Sequence, residues 1–266
     1  MTDLDAGELD LLADALRKAM TTGSAAELDD ALGELGWAEL LAELPDVAVP
    51  LVFRLLGETG AHAAVLDDVV RQAAEWTEPQ PIPLPFSGGT WVVWDRAAEP
   101  GAAVDEELPL RTVDSGAELP AAALAAGRRA LGWWLLGTGH AMLALARRHA
   151  LERKQFGRPI ASFQAIRHRL AETLVALEGA EAALTHADTD LGALLAKAAA
   201  GQAALTAARH CQQVLGGIGF TAEHDLHRHI RRTLVLDGLL GSTRELTRAA
   251  GAHIRTSRSA PRLAQL

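Results

Sequence analysis

The chain has little cysteine, little aromatic character and no tyrosine. Its 266 residues include one cysteine, Cys211, and aromatic residues make up only 4% of the composition. A lone cysteine excludes an internal disulfide and favours a reducing compartment. Alanine and leucine are abundant instead, and both favour helix over sheet. We therefore expect an all-α protein that is long enough to bury a substantial core.

Positive charge and membrane signals are also scarce. The net charge is −9, and Lys18, Lys154 and Lys197 are the only lysines. An acidic chain is a poor candidate for sequence-independent nucleic-acid binding. Residues 1–5 lack the cationic and then apolar pattern of a signal peptide, and no apolar run reaches membrane-spanning length. We therefore predict a cytoplasmic protein that binds neither nucleic acid nor membrane.

The apolar pattern divides the chain into four regions. Residues 1–77 read as a shortened N-terminal domain of amphipathic helices. Residues 78–116 begin with four prolines at alternate positions, which make an extended linker. Residues 117–256 are predicted to form a bundle of antiparallel helices with short loops, and residues 257–266 a disordered tail. The finer expectations are strands at 89–94 and 108–113, helices at 118–155, 162–187, 190–215 and 222–236, and a Ser242–Glu245 capping box for a last helix.

The first motif is the turn between the two longest predicted helices. Gly157 and Pro159 end the first helix, because Gly tolerates the dihedrals of a helix end and Pro cannot continue a helix. Ser162 is a candidate cap for the next helix. The corner presents Arg153, whose planar fork pairs with two phosphate oxygens. It also presents Phe156, whose ring offers a face to an adenine or a ribose.

The second motif lies at the end of the third predicted bundle helix. Residues 212–221 read Gln-Gln-Val-Leu-Gly-Gly-Ile-Gly-Phe-Thr. Paired glycines let a backbone approach a ligand closely. Taken alone, Gly-Gly-x-Gly indicates only a helix stop followed by a turn, so the weight of this motif depends on its companion.

Together the two motifs resemble those of acyl-CoA dehydrogenases. The pattern Arg-x-x-Phe-Gly-x-x-Ile-x-x-Phe-Gln-Ala-Ile, which starts at Arg153, is similar to the hallmark of that family. In the family this corner grips a flavin dinucleotide (FAD) bound mainly by the neighbouring subunit, and the glycine-rich segment contacts its pyrophosphate and ribityl chain. Gln155 departs from the hydroxyl residue frequent at its position, although an amide still hydrogen-bonds phosphate or ribose. The resemblance covers residues 118–256 well and 8–75 faintly, and it implies FAD contacts at Arg153, Gln155, Phe156, Gln213, Gly216 and Gly217.

The resemblance also implies a catalytic base, and this sequence lacks it. Acyl-CoA dehydrogenation needs a carboxylate that removes the α-proton while a hydride passes to the flavin. Most members of the family carry it shortly before the last helix, where this chain has Leu240. A second group carries it on the first bundle helix, where this chain has Gly127. Asp237 is a fallback base, which a small shift of the alignment would move into the site.

Other polar and aromatic residues are interpreted as structural. The histidines of segment 224–229 lack the paired Glu-x-x-His motifs of a bundle di-iron site, so we expect a polar helix surface and no metal. The remaining interpretations are solvated or salt-bridged side chains for Arg228, Arg231 and Arg232, core and subunit packing for Trp133 and Trp134, a satisfied packing histidine for His140, and a buried apolar side chain for Cys211.

The resemblance implies a degenerate subunit of a heteromeric enzyme. Complete members hold the flavin ring and the acyl chain in a β-domain at the place of residues 78–116, which are too few for more than a remnant. We therefore expect a chain that is inactive alone and lends FAD contacts to a full-length catalytic partner. The α2β2 enzymes of actinobacterial steroid side-chain degradation are assembled in this way. Two alternatives stay open, an autonomous dehydrogenase that uses Asp237 as its base and a flavin-free helical scaffold or regulator.

Overall fold

The computed structural model describes residues 5–22, 25–78, 80–95, 105 and 107–259. The first part is a group of short helices. Gly36, at φ 77°, turns the chain between the second and third helices, and Gly60, at φ 76°, ends the fourth. Pro45 opens that fourth helix at a position where proline is favoured. The helices are α1 (Ala6–Thr22), α2 (Ala25–Glu34), α3 (Trp37–Glu43), α4 (Pro45–Thr59) and α5 (Val65–Ala73).

A small antiparallel sheet follows, with three strands in the order β1 (Leu84–Phe86), β2 (Thr90–Trp94) and β3 (Leu110–Val113). The sequence predicted only β2 and β3. The prediction missed β1 because Pro83 precedes it and Pro85 lies within it, and both were read as part of a stiff linker. As an edge strand, β1 tolerates Pro85, since an edge needs no donor on its outer side.

The rest of the described chain is the predicted helical bundle, and the all-α fold class is confirmed. Pro120 is the N-cap residue of the first bundle helix, which starts three residues later than expected. Ser162 is not the cap of the next helix, because Phe163 holds that position and the Ser162 hydroxyl donates to Pro159 O at 2.8 Å. The Ser242–Glu245 capping box is confirmed. The helices are α6 (Ala121–Glu152), α7 (Gln164–Thr185), α8 (Asp190–Leu215), α9 (Leu226–Gly238) and α10 (Thr243–Ser257), and residues 260–266 of the predicted tail lie outside the described residues.

The centre of the bundle is α8, which contacts α6, α7, α9 and α10. Within the segment Asp190–Phe220, an 18-residue window has a mean hydropathy of 1.2 and is long and apolar enough to cross a bilayer, so the expectation that no such run exists was wrong. More than half of this apolar stretch, 56%, is buried inside the chain. Its hydropathy is therefore that of a core helix.

The N-terminal helices pack directly onto the bundle through α4 and α6. A Cβ on Gly57 would lie 2.3 Å from Trp134 O, and one on Gly137 would lie 2.1 Å from Arg54 O. Only glycine allows the two backbones to come this close. The Trp134 ring is fully buried and stands edge-on to Phe53 at 5.8 Å. Trp133 and Trp134 therefore pack inside this chain and leave little surface for a partner.

Candidate functional site

The turn after α6 is a short β-hairpin with an exposed aromatic tip. Strand β4 (Lys154–Gln155) pairs with β5 (Arg158–Pro159), and Phe156 and Gly157 form the turn between them. Phe156 has φ 51° and Gly157 has φ 78°, and positive φ at both central residues is the mark of a type I′ turn. The Phe156 side chain is 90% exposed. A bulky residue in this conformation is unusual, so the tip presents a ring to the outside at some conformational cost.

Two contacts hold the hairpin on the bundle. The Phe156 ring stands edge-on to Phe163 with 6.1 Å between the centroids, and the Arg158 guanidinium lies 4.4 Å above the same Phe163 ring. Ile160 N donates to Arg153 O at 2.9 Å and closes the base of the hairpin. Arg153 and Gln155 are exposed. Their polar groups are therefore accessible to a ligand or a partner.

The glycine-rich motif forms the end of α8 and a 3-10 turn over Gly216–Phe220. Gly216 has φ 66°. Apart from the adjoining residues of the chain, no heavy atom of the described part of the structure lies within 4 Å of where a Cβ would stand on Gly216 or Gly217, so this backbone faces open space. The turn is held from inside, because Gln212 Nε2 donates to Gly219 O at 3.2 Å. The neighbouring Gln213 side chain is exposed.

The fold brings the two motifs to the same end of the bundle. Because α7 runs back between them, α6 and α8 are parallel, and their C-terminal turns pack on one apolar cluster. We call this region the cofactor end, defined by residues 151–160 and 213–220. Four apolar side chains are exposed there, Leu151, Phe156, Ile218 and Phe220. The cluster beneath them is formed by Met142, Ala146, Ala150, Ala207, Ala208, Cys211, Val214, Leu215 and Leu226.

Gly127 and Leu240, the two positions at which the resemblance predicts a base, are in contact with each other. A Cβ on Gly127 would lie 2.5 Å from Leu240 Cδ1 and 3.1 Å from Val70 Cγ2. Leu240 is 1% exposed and has φ 54°. Its backbone N donates to Pro85 O at 2.8 Å, and Arg128 Nε donates to its carbonyl at 3.1 Å. An apolar side chain therefore fills the space beside Gly127, and we call this region the plugged end.

The plugged end lies far from the cofactor end. Gly127 is 25 residues before Glu152, the last residue of α6. At a rise of 1.5 Å per residue the separation along the helix is about 38 Å. The two exposed motifs and the buried pair of Gly127 and Leu240 therefore lie in different parts of the chain.

A buried lysine, Lys197, fixes the segment that carries Leu240. Its ammonium group is fully buried and donates to the carbonyls of Asp237 and Leu239, each at 2.7 Å, and to that of Gly241. Burial lowers the pKa of Lys197 to about 7, against the smaller opposing effect of the Asp237 charge. Sequence reasoning missed this residue. A single lysine within the alanine run of α8 was the available signal.

Asp237, the fallback base, is held at the start of α10. Its Oδ1 accepts hydrogen bonds from Thr243 N at 3.1 Å and from Thr243 Oγ1 at 2.5 Å. The same oxygen would lie 2.5 Å from a Cβ on Gly201 of α8. The carboxylate therefore faces α8 and α10 and serves as a helix-end acceptor.

Segment 224–232 is less exposed than the sequence suggested. Arg232 is buried and pairs with Asp105 at 2.5 Å and with Glu107 at 3.2 Å, and Arg228 pairs with Glu107 at 2.7 Å, so the salt-bridged alternative is confirmed for these two arginines. His229 packs against Gly60, and burial followed by the nearby Arg232 charge lowers the pKa of His229 to about 4. Cys211 is fully buried as expected, and burial raises the pKa of its thiol to about 12.

A groove that the sequence did not reveal opens beside the plugged end. It has a volume of about 830 Å³ and lies between α4, α5, α6 and the end of α7. Its floor includes Val69, Ala126 and Trp133, and Arg129 crosses one side to donate to Ala187 O at 3.4 Å. Gly127 and Val70 come directly after two of these lining residues. A wall of the groove is therefore shared with the plugged end.

Comparison with known proteins identifies the family. The acyl-CoA dehydrogenase C-terminal domain matches residues 114–254, more than half of the chain. The chain belongs to the acyl-CoA dehydrogenase family. It is 35% identical over 181 residues to the acyl-CoA dehydrogenase IpdE2 of Mycobacterium tuberculosis, an alignment that covers 63% of this chain. The aligned part is 55% of that protein, so the chain spans about half the length of this curated relative.

Two solved structures of paired proteins share the fold at low sequence identity. One is a variant of the Tcur3481-Tcur3483 steroid ACAD, with a TM-score of 0.73 and 18% identity over 96% of this chain and 99% of that chain. The other is the ChsE4-ChsE5 complex from Mycobacterium tuberculosis, with a TM-score of 0.70 and 20% identity over 98% and 99%. At this identity the likeness describes the fold, which is the helical architecture with a reduced sheet.

Proposed function

We propose that the chain is a subunit of a heteromeric FAD-dependent acyl-CoA dehydrogenase. In this assembly it contributes contacts to the ADP part of the FAD and part of the assembly surface. A full-length partner subunit, in an α2β2 arrangement, supplies the catalytic base and the substrate pocket. The chain alone is inactive.

The observation that carries this proposal is the contact between Leu240 and Gly127. Both positions at which the resemblance predicts a base are apolar here. The Leu240 side chain fills the space that a side chain on Gly127 would occupy. A general base must lie within hydrogen-bond reach of the proton that it removes. Neither residue offers an acceptor side chain, and Asp237 is already bonded to Thr243. The α-proton is therefore removed by a residue of the partner.

The residues of the cofactor end fit the ADP part of FAD. Arg153 supplies a guanidinium for pyrophosphate oxygens, and the exposed Phe156 ring supplies a stacking face. The amides of Gln155 and Gln213 donate to phosphate or ribose, and the open space beside Gly216 and Gly217 admits a ligand to the backbone. When bound, FAD accepts the hydride from the β-carbon of the acyl-CoA. This chain's part is to bind and orient the dinucleotide across the subunit interface.

The proposed substrate class is inferred from the relatives. The reaction is α,β-dehydrogenation of an acyl-CoA thioester. The likeness to a steroid ACAD favours a steroid side-chain CoA ester over a simple fatty acyl-CoA. The two solved structures of paired proteins that share this fold favour a heteromeric assembly.

Coexpression tests the proposal. We expect the chain expressed alone to be colourless and to self-associate, because Leu151, Phe156, Ile218 and Phe220 leave apolar surface at the cofactor end. Coexpressed with a full-length relative, it should purify as a yellow complex that dehydrogenates acyl-CoA.

The alternatives give different results in the same experiment. A yellow, active homo-oligomer would favour an autonomous enzyme. A complex whose flavin content does not depend on this chain would favour a scaffold or regulator. The first outcome would overturn the need for a catalytic partner, and the second would overturn the cofactor-contact role.

A further inference from the structure

His140, in the second half of α6, has an unexplained buried nitrogen. Its side chain is 19% exposed, and Nε2 is buried without a hydrogen-bond partner among the residues that the structure describes. The interpretation of His140 as a satisfied packing histidine is therefore wrong. Buried polar atoms without a partner are rare in native proteins, so each calls for a physical explanation.

Two carboxylates of α7 lie near the His140 imidazole. Glu178 and Glu181 are three residues apart, so they share one face of the helix. Glu181 Oε2 lies 4.0 Å from His140 Nε2. One ligand atom from each of the three side chains lies within 4.8 Å of the other two. An imidazole nitrogen and two carboxylates thus converge from two helices.

Arg54 of α4 orients one of these carboxylates. Its Nη1 donates to Glu181 Oε1 at 2.6 Å, which leaves Oε2 directed at His140. Hydrogen bonds from neighbouring groups commonly fix metal-ligating carboxylates in this manner. Arg54 also bonds Glu58, which Arg17 bonds in turn. With the second glutamate of α7, the group holds three carboxylates and two guanidiniums, so its net charge remains negative and attracts a cation.

We propose that His140, Glu178 and Glu181 bind one divalent first-row transition-metal ion. Imidazole with carboxylates is an accepted donor set for zinc and its neighbours. Ligand atoms around zinc at about 2.1 Å stand about 3.4 Å apart, so the present separations must shorten by roughly an ångström. The exposed Glu178 is free to make that movement. With three protein ligands, the fourth position is left for water.

The protonation state of His140 agrees with this role. Burial first, and then the charge of Arg54, lower the pKa of His140. A lowered pKa favours the neutral imidazole, which is the form that binds a metal ion. The sequence did not reveal the group, because His140 lies 38 and 41 residues before the two glutamates and on a different helix.

The proposed metal group is separate from the cofactor end. His140 lies twelve residues before the end of α6, which is about 18 Å along the helix. Metal binding by this group can therefore be tested independently of FAD binding.

The test is a zinc titration of the full-length chain, with its partner if the two copurify. After treatment with EDTA and dialysis, Zn²⁺ is added in competition with a chelating indicator dye, and Co²⁺ absorption reports the coordination. We expect one Zn²⁺ per chain. Glu178→Gln and His140→Gln should each weaken binding at least tenfold, as the loss of one of three ligands requires.

Matched variants keep the test decisive. Glu172→Gln changes an exposed carboxylate of the same helix, and His186→Gln changes an exposed imidazole near its end. Both should bind Zn²⁺ as the unmodified chain does. Because the Glu178 side chain is exposed, its variant folds normally and reports on binding even if His140→Gln does not fold. Zinc binding below half an equivalent, or binding that Glu178→Gln leaves unchanged, would overturn the proposal.

Discussion

The two ends of α6 have opposite characters. At the cofactor end a strained hairpin exposes Phe156, and the Gly216–Gly217 backbone faces open space. At the plugged end Leu240 is buried against Gly127, and Lys197 holds the carbonyls around it. One end is built for contact with something outside the chain, and the other is closed by the chain itself.

This difference separates two parts of a site that a complete dehydrogenase keeps in one protein. The cofactor end retains groups suited to an anionic dinucleotide. The plugged end is filled with apolar packing. Substitutions at the plugged end should therefore change stability and leave cofactor affinity alone, while substitutions at the cofactor end should do the reverse.

The largest expected effect is at the plug. Leu240→Ala should lower the free energy of unfolding by about 2–5 kcal/mol, because it removes a fully buried leucine and leaves a cavity. Gly127→Ala should also destabilise the chain, since the added Cβ would lie 2.5 Å from Leu240 Cδ1. Denaturant unfolding of both variants and of the double variant measures the coupling. The double variant should be more stable than the sum of the single effects predicts, and strict additivity would contradict the contact.

The next effect is at the cofactor end. Arg153→Ala should weaken FAD retention by the complex about ten- to a hundredfold, because a charge-assisted hydrogen bond contributes roughly 1.5–3 kcal/mol. Arg153→Lys should recover only part of the loss, since a point charge cannot make the two-pronged contact. Flavin fluorescence during dissociation from the purified complex gives the measurement.

Arg248→Ala is the matched control, because Arg248 is an exposed arginine of α10, the helix that begins beside the plug. It should leave FAD retention unchanged. If Arg153→Ala also leaves FAD affinity unchanged in an assembled complex, the chain does not contact the cofactor and the scaffold hypothesis replaces the proposal.

A smaller effect is expected from the glycine-rich motif. Gln213→Ala should cost about 0.5–1.5 kcal/mol of FAD binding, roughly two- to tenfold, because a neutral hydrogen bond is weaker than a charged one. Gln202→Ala, an exposed glutamine earlier in the same helix, serves as the control. A Gln213 effect larger than that of Arg153 would reverse the proposed ranking of the two motifs.

The smallest effect concerns chemistry at the plugged end. Asp237→Asn should leave kcat of the complex within about twofold, because its carboxylate accepts hydrogen bonds from Thr243 and removes no proton. Steady-state turnover at constant flavin content measures this. A loss of about a hundredfold or more, the scale expected for a general base, would return catalysis to this chain.

Periodic apolar residues predicted the bundle well, because a helix interior leaves a repeating signal in the sequence. The span of α8 was predicted to the residue, and Ser242 with Glu245 forms the expected cap. Two local features escaped, the edge strand β1 around Pro85 and the hairpin at Phe156. The strand β1 forms by pairing with β2 despite its prolines, and the hairpin depends on a turn with a bulky residue at positive φ. Residue preferences alone predict neither feature.

The candidate site was predicted only in part. The motifs named Arg153 and Gly217, and the alignment with the family named Leu240 and Gly127. That the last two contact each other depends on how α9 returns to α6, which no local pattern encodes. Lys197 escaped for the same reason, since its partners are backbone carbonyls, which any sequence possesses.

The alternating direction of the bundle helices has an electrostatic consequence. At the cofactor end α6 and α8 finish while α7 and α9 begin, so two negative and two positive ends of helix macrodipoles meet and largely cancel. The backbone therefore supplies little net attraction for an anion, in contrast to sites built on a single helix start. In a chain with a net charge of −9, the electrostatic attraction for a pyrophosphate must come from the local arginines. This attraction should weaken as added salt screens their charge.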